Sequence, residues 1–178
     1  LINNKNNGLY ITFNFTAVLE TVYKINEGKI IHIYCSLRQR DGVPVLGHGN
    51  KIRIEHIQKK PHEAESAFDE EETSICRVIE DYYNRTYKNI NRYITKLFSL
   101  AGKGIDEISV VVHSIAGVDI PYFKSVDEFT GRVAKWKVYY HNDSERQQML
   151  DSLIDCGINI ERIKMLNSSG FYDLQSKE

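Results

Sequence analysis

Carboxylates that converge on divalent ions are the first chemistry to look for, and Glu80 and Asp81 stand side by side on a predicted helix. A two-metal nuclease needs further acids on the first strand and at the end of the strand after that helix, so that all reach the same ions. Here the first strand offers Asn14 and no acid, while the later strand ends in His113 and Ser114. A phosphate-binding turn between the first two strands needs an acid to organise the metal and a glycine to let backbone amides approach phosphate. At that place stand Asn14, Phe15 and Thr16, a degenerate turn. Gly102-Lys103-Gly104 precedes a strand instead of following one, the reverse of a Walker context, and reads as a helix stop. The six histidines are dispersed, only His56 and His62 lying close, which is not zinc spacing. Ser114 has no GxSxG elbow around it. Cys35, Cys76 and Cys156 are far apart inside apolar patterns, as buried reduced thiols are. The expectation is a protein that is not an enzyme, with no catalytic residues, no cofactor and no metal.

The elements that would position these groups follow from periodicity. Leu9 to Phe13, Ala17 to Ile25 and Lys29 to Leu37 are rich in β-branched and aromatic residues and predict three strands. The short Asn26 to Lys29 turn predicts antiparallel neighbours. Asp41-Gly42, Gly47 and Gly49 mark a loop before a fourth strand, Lys51 to Ile57, and Lys59 to Glu72 reads as a polar, acidic linker capped by Thr73 or Ser74. Apolar positions from Ile75 to Ala101 predict a helix of seven turns. Ile108 to Val112 reads as an interior strand, Ser125 to Phe129 as one helical turn, and Val133 to Tyr140 as a strand with Ala134, Trp136, Val138 and Tyr140 on one face. A helix opens at Asp143 or Ser144, with Ser144 and Gln147 at capping-box spacing, buries Met149, Leu150, Leu153 and Ile154, and stops at Gly157 before a strand ending at Leu166. The expected organisation is a disordered segment 1–8, a lobe 9–116, a small α+β subdomain 117–166 and a polar tail 167–178.

Composition sets the bounds. The 178 residues are 42% apolar and 26% charged, which excludes disorder and allows one core or two small lobes. Lys plus Arg number 23 against 24 Asp plus Glu, so there is no global positive field and nucleic acid is not an expected partner. The longest stretches without a charge, Leu9 to Leu19 and Ile108 to Val118, are too short for the ~20 residues of a bilayer span. The polar run Asn3 to Asn7 does not resemble a signal peptide. Two features suit recognition: the Tyr82, Tyr83, Tyr87 and Tyr93 face of the long helix, which packing into a core also explains, and the acidic stretch Glu63 to Glu72, which the helix dipole also explains.

Antiparallel strands followed by helix and strand predict an α/β fold, a ribonuclease H-like or reduced actin-like lobe with a mixed sheet and a small appended α+β subdomain. The strand and helix from Val138 to Leu166, with SERQQMLDSLIDCGINIERIKML, resemble the cytoplasmic domains of type IV pilus and type II secretion assembly-platform proteins, the PilM and GspL group. Ile105 to Phe123 resembles their central strand and following loop, and YITFNFTAVLETVYKINEGKI their first hairpin with its phosphate turn eroded at Asn14 to Thr16. The resemblance implies a non-enzymatic scaffold at the cytoplasmic face of the bacterial inner membrane. Its implied partners are the assembly ATPase and inner-membrane platform proteins. A homodimer and a membrane helix after Glu178 stay open, as does an actin-like nucleotide switch completed by a partner chain.

Overall fold

Tyr10–Thr12 (β1) and Ile30–His32 (β2) pair in parallel, with Thr12 in register with His32. This corrects the expected antiparallel hairpin. Ala17 to Ile25 is not a strand: it contains the short helix α1, Val18–Thr21, which serves as the crossover a parallel pair requires. The backbone there satisfies itself locally. Thr21 donates through Oγ1 to the Ala17 carbonyl at 2.5 Å, the Ile25 N–H donates to the Leu19 carbonyl, and Asn26 accepts from the Gly28 N–H before a 3-10 turn at Glu27–Lys29. The computed structural model describes residues 8–37, 47, 51–67 and 69–169, and the side chains of 51–54 are left aside. The expected disordered segment up to residue 7, the glycine loop apart from Gly47, and the tail from 170 lie outside the described residues.

By contact the chain divides into two units, Leu1–Tyr93 and Ile94–Glu178. In the first, β2 is followed by two 16-residue helices, α2 (Lys51–Ser66) and α3 (Glu70–Arg85), packed on one another with Ile57, Ala64 and Cys76 buried. The expected strand at Lys51 to Ile57 therefore lies in α2, and the expected linker is helical at Lys59 to Ser66 and at Glu70 to Glu72. An alternation of seven residues is too short to override the Glu, Lys, Gln and Ala of Lys51–Ser66, which favour helix. Asp69, not Thr73 or Ser74, is the cap, its carboxylate accepting from the Glu72 N–H at 2.9 Å. The expected seven-turn helix breaks where Thr86 turns its hydroxyl back onto the Tyr82 carbonyl. A short helix α4 (Ile90–Ile94) and a 3-10 stretch, Thr95–Leu100, follow.

The second unit is a parallel three-stranded sheet in the order β3 (Glu107–Val110), β4 (Lys135–Tyr140), β5 (Ile163–Asn167). Helices α5 (Ile120–Phe129) and α6 (Asp143–Asp155) connect these strands and touch each other. Alternation along β4 is as expected: Ala134, Trp136 and Val138 are buried, while Lys135 is exposed. Helix α5 spans ten residues where one turn was expected, started by Pro121 in its first turn. Asn142, not the Ser144 and Gln147 pair, caps α6 by accepting from the Glu145 N–H, and Glu145 in turn accepts from the His141 N–H. Met149 and Leu153 are buried as expected, but Ile154 is exposed. Gly157, at φ +85°, ends the helix.

The fold is mixed α/β, with two small parallel sheets and six α-helices among the described residues. The antiparallel opening that suggested a ribonuclease H-like or actin-like lobe is absent there. No helix among the described residues is long and apolar enough to cross a membrane.

Candidate functional site

The carboxyl ends of parallel strands are where ligands bind in open α/β sheets. At that end of β2, the side chain of His32 is fully enclosed. Its Nε2 lies 2.7 Å from Glu20 Oε1 on α1, and its Nδ1 lies 3.1 Å from the Asn14 carbonyl in the degenerate turn. Both neighbours are acceptors, so both bonds form when the imidazole carries a proton on each nitrogen. The turn is held from its other side as well. The Asn14 N–H donates to Thr12 Oγ1, and the Leu37 N–H donates to the Phe15 carbonyl. Sequence reasoning singled out Asn14, Phe15 and Thr16 for what they lack, and missed His32 and Glu20. The recoverable signal was a lone histidine in an apolar run, eighteen residues after Asn14 and twelve after Glu20.

The arrangement is a lock more than a catalytic dyad. A general base keeps one ring nitrogen free for substrate, with the carboxylate on the other. Here the turn and Glu20 take both. What stays open is Glu20 Oε2, enclosed without a hydrogen-bond partner among the described residues. An enclosed acceptor of this kind costs stability until it meets a donor.

Beside this, Cys35 is buried with φ +66° and keeps its thiol out of reach. Tyr34, also buried, packs edge-on to Tyr93, and the Lys88 ammonium sits 3.8 Å from the Tyr34 ring centroid. The tyrosines of the expected recognition face are thus split: Tyr93 is core, Tyr82 is exposed, and Tyr83 and Tyr87 are half-buried.

In the second unit, the loop after β3 holds a second histidine and acid. His113 Nδ1 accepts from the Ile115 N–H at 2.9 Å, which places the proton of the neutral ring on Nε2, 3.4 Å from Asp119 Oδ2. Val112 and Ile115 hold φ values of +53° and +49°, strained for β-branched residues. Asp127 is fully engaged nearby, accepting from Arg162 at 2.7 and 2.9 Å and from Trp136 Nε1 at 3.1 Å. That bond holds the Arg162 guanidinium above its ordinary pKa. Glu80 and Asp81 meet no third acid, and no group of three or more His, Cys, Asp or Glu side chains among the described residues is gathered around a metal-sized space.

A family model described as Bacteriophage abortive infection AbiH matches residues 1–140, which takes in all of the first unit and the second through β4. The chain belongs to the AbiH family. No curated protein and no solved structure matches it. AbiH membership overturns the expected kinship with the PilM and GspL group, including its bundle-forming pilus member BfpC. With it go the pilus or secretion scaffold, the assembly ATPase and the inner-membrane platform partners. The cause of the error is physical. Strand, helix, glycine and strand from Val138 to Leu166 form a βαβ unit common to parallel α/β sheets, and most of it lies beyond the AbiH match. A further support, the first hairpin, is not a hairpin, and the central strand at Ile105 to Phe123 is equally common to parallel α/β sheets.

Proposed function

We propose that this AbiH protein limits phage multiplication by abortive infection, so that an infected cell releases few progeny. The observation that carries the reading is the family match across residues 1–140, which includes the whole His32, Glu20 and Asn14 lock. The protein acts by contact and not by turnover. Support for this comes from the histidines: both nitrogens of His32 and Nδ1 of His113 are committed to the protein's own groups.

The test is expression in a phage-sensitive bacterial host, scored by plating efficiency, burst size and survival of infected cells across a panel of phages. Reduced burst size without rescue of the infected cells supports the reading. Unchanged burst size for every phage, with the folded protein present, overturns it. His113→Gln and Asp119→Asn separate contact from catalysis. Both retain protection in the contact reading, and loss of protection by folded variants refutes that part alone.

A further inference from the structure

The loop after β3 stores backbone strain, and one hydrogen bond across it depends on a proton. Val112 and Ile115, both β-branched, take the left-handed backbone at φ +53° and +49°, and Gly117 follows at +63°. Residues in that region relax unless their surroundings hold them there. The Val112 side chain is 78% exposed, whereas Ile115 is fully buried. At Ile115 the backbone is tied as well, its N–H donating to His113 Nδ1 at 2.9 Å. A ring nitrogen accepts only while it carries no proton.

Across the ring, His113 Nε2 lies 3.4 Å from Asp119 Oδ2, at the end of the 3-10 turn Gly117–Asp119. Phe123 of α5 is tilted against the imidazole, with centroids 5.0 Å apart. The side chains of His113 and Asp119 keep 17% and 19% of their surface exposed, so solvent protons reach the pair without unfolding. We propose that His113 is a pH-sensitive latch: neutral, it holds the Ile115 amide and closes the loop, and protonated, it lets both go. The imidazolium presents N–H groups at both nitrogens, so Nδ1–H and the Ile115 N–H meet as two donors, and a buried amide without an acceptor is unfavourable. Asp119 acts in the same direction, because a carboxylate beside the ring favours the charged form. As pH falls, the tie to Ile115 is therefore lost while the pair with Asp119 strengthens. The strain at Val112 and Ile115 then drives the segment toward relaxed backbone. Ligands meet open parallel sheets at the carboxyl ends of their strands, so the switch remodels that edge of β3.

This inference is independent of the role in phage defence, and its readout is physical. Nuclear magnetic resonance of the full chain from about pH 8 to pH 5 spans the range in which imidazoles change charge. The Ile115 amide shift is expected to follow the His113 ring shifts with one midpoint. Its protection from hydrogen exchange, corrected for the intrinsic rate, should fall about tenfold or more across that midpoint. His113→Asn sets an amide oxygen close to the position of Nδ1 and carries no titrating group, so Ile115 should stay protected over the whole range. Asp119→Asn should move the midpoint to lower pH. Amide spectra check that each variant keeps the fold. An Ile115 amide that ignores the titration of the ring overturns the proposal. So does a ring that stays neutral throughout this range, or a His113→Asn variant that loses Ile115 protection with the parent's midpoint.

Discussion

His32 shows how one side chain can tie three segments together: it belongs to β2, and its two nitrogens reach the turn after β1 and the helix that follows. Removing His32 strands two enclosed acceptors, the Glu20 carboxylate and the Asn14 carbonyl, a loss of about 2 to 5 kcal/mol together. His32→Ala should therefore lower stability in urea by roughly that amount. Glu20→Gln, which keeps an acceptor for Nε2, should cost only about 1 to 2 kcal/mol. Equal effects would mean that the charge, and not the hydrogen-bonded linkage, carries the stabilisation. Asp127 supplies a parallel case with an internal control. Asp127→Ala leaves Arg162 and the Trp136 N–H without their carboxylate and should cost about 3 to 5 kcal/mol. The neighbouring Glu128, paired with Arg132 in solvent, should be worth about 0.5 kcal/mol or less on truncation. Urea midpoints of the two variants make the comparison directly.

At the scale of elements, the sequence was legible where one strong pattern met no competitor. β4 alternates cleanly because one face meets a core, and Gly157 ends α6 because it takes a positive φ. It was illegible where a local pattern fits two structures. Ala17 to Ile25 is β-branched enough for a strand, and only the tertiary parallel pairing of β1 with β2 makes it a crossover. Lys59 to Glu72 looked like a linker because it is polar and acidic, yet Lys59 to Ser66, Pro61 included, sits inside α2. The candidate site was half legible. Asn14 to Thr16 was located, but its partners came from other elements, and a turn defined by missing residues gives no hint of the histidine behind it. The loop after β3 was also hidden, since nothing in Val112 announces a left-handed backbone. Its strain is testable. Val112 is exposed, so Val112→Asn removes a β-branched side chain from that conformation without opening the core. Left-handed backbone costs a non-glycine residue about 1 to 2 kcal/mol, which Asn tolerates better, so the variant should gain about 0.5 to 1 kcal/mol in thermal or urea unfolding. A loss of stability would show that the Val side chain contributes more through its contacts than its backbone costs.

At the scale of the whole molecule, three titratable groups among the described residues shift clearly, and in one direction. The three resolved shifts are all upward: burial raises the Cys156 thiol, the hydrogen bond to Glu107 raises Lys137, and the bond to Asp127 raises Arg162. Each group thus holds its proton more tightly in the folded chain than in the unfolded one. Where unfolding releases protons, stability falls as pH rises. The starting points decide which group governs. Arg162 stays charged throughout the alkaline range, while Lys137 begins from 10.5 and is more than a third exposed, so its contribution is screened. Cys156 begins from 9.0, enclosed and with its sulfur 3.6 Å from the Ile120 carbonyl. Its contribution is fully present below pH 9.0, where the thiol is neutral in both states, and is lost as pH climbs from there through the raised folded value. Urea midpoints should therefore fall with pH from 9.0 towards 10.5. Cys156→Ala should lower stability at every pH through the cavity it leaves, yet flatten this alkaline slope. A slope unchanged in Cys156→Ala would assign the alkaline loss to other groups and mean that the thiol ionises as readily inside the fold as outside it.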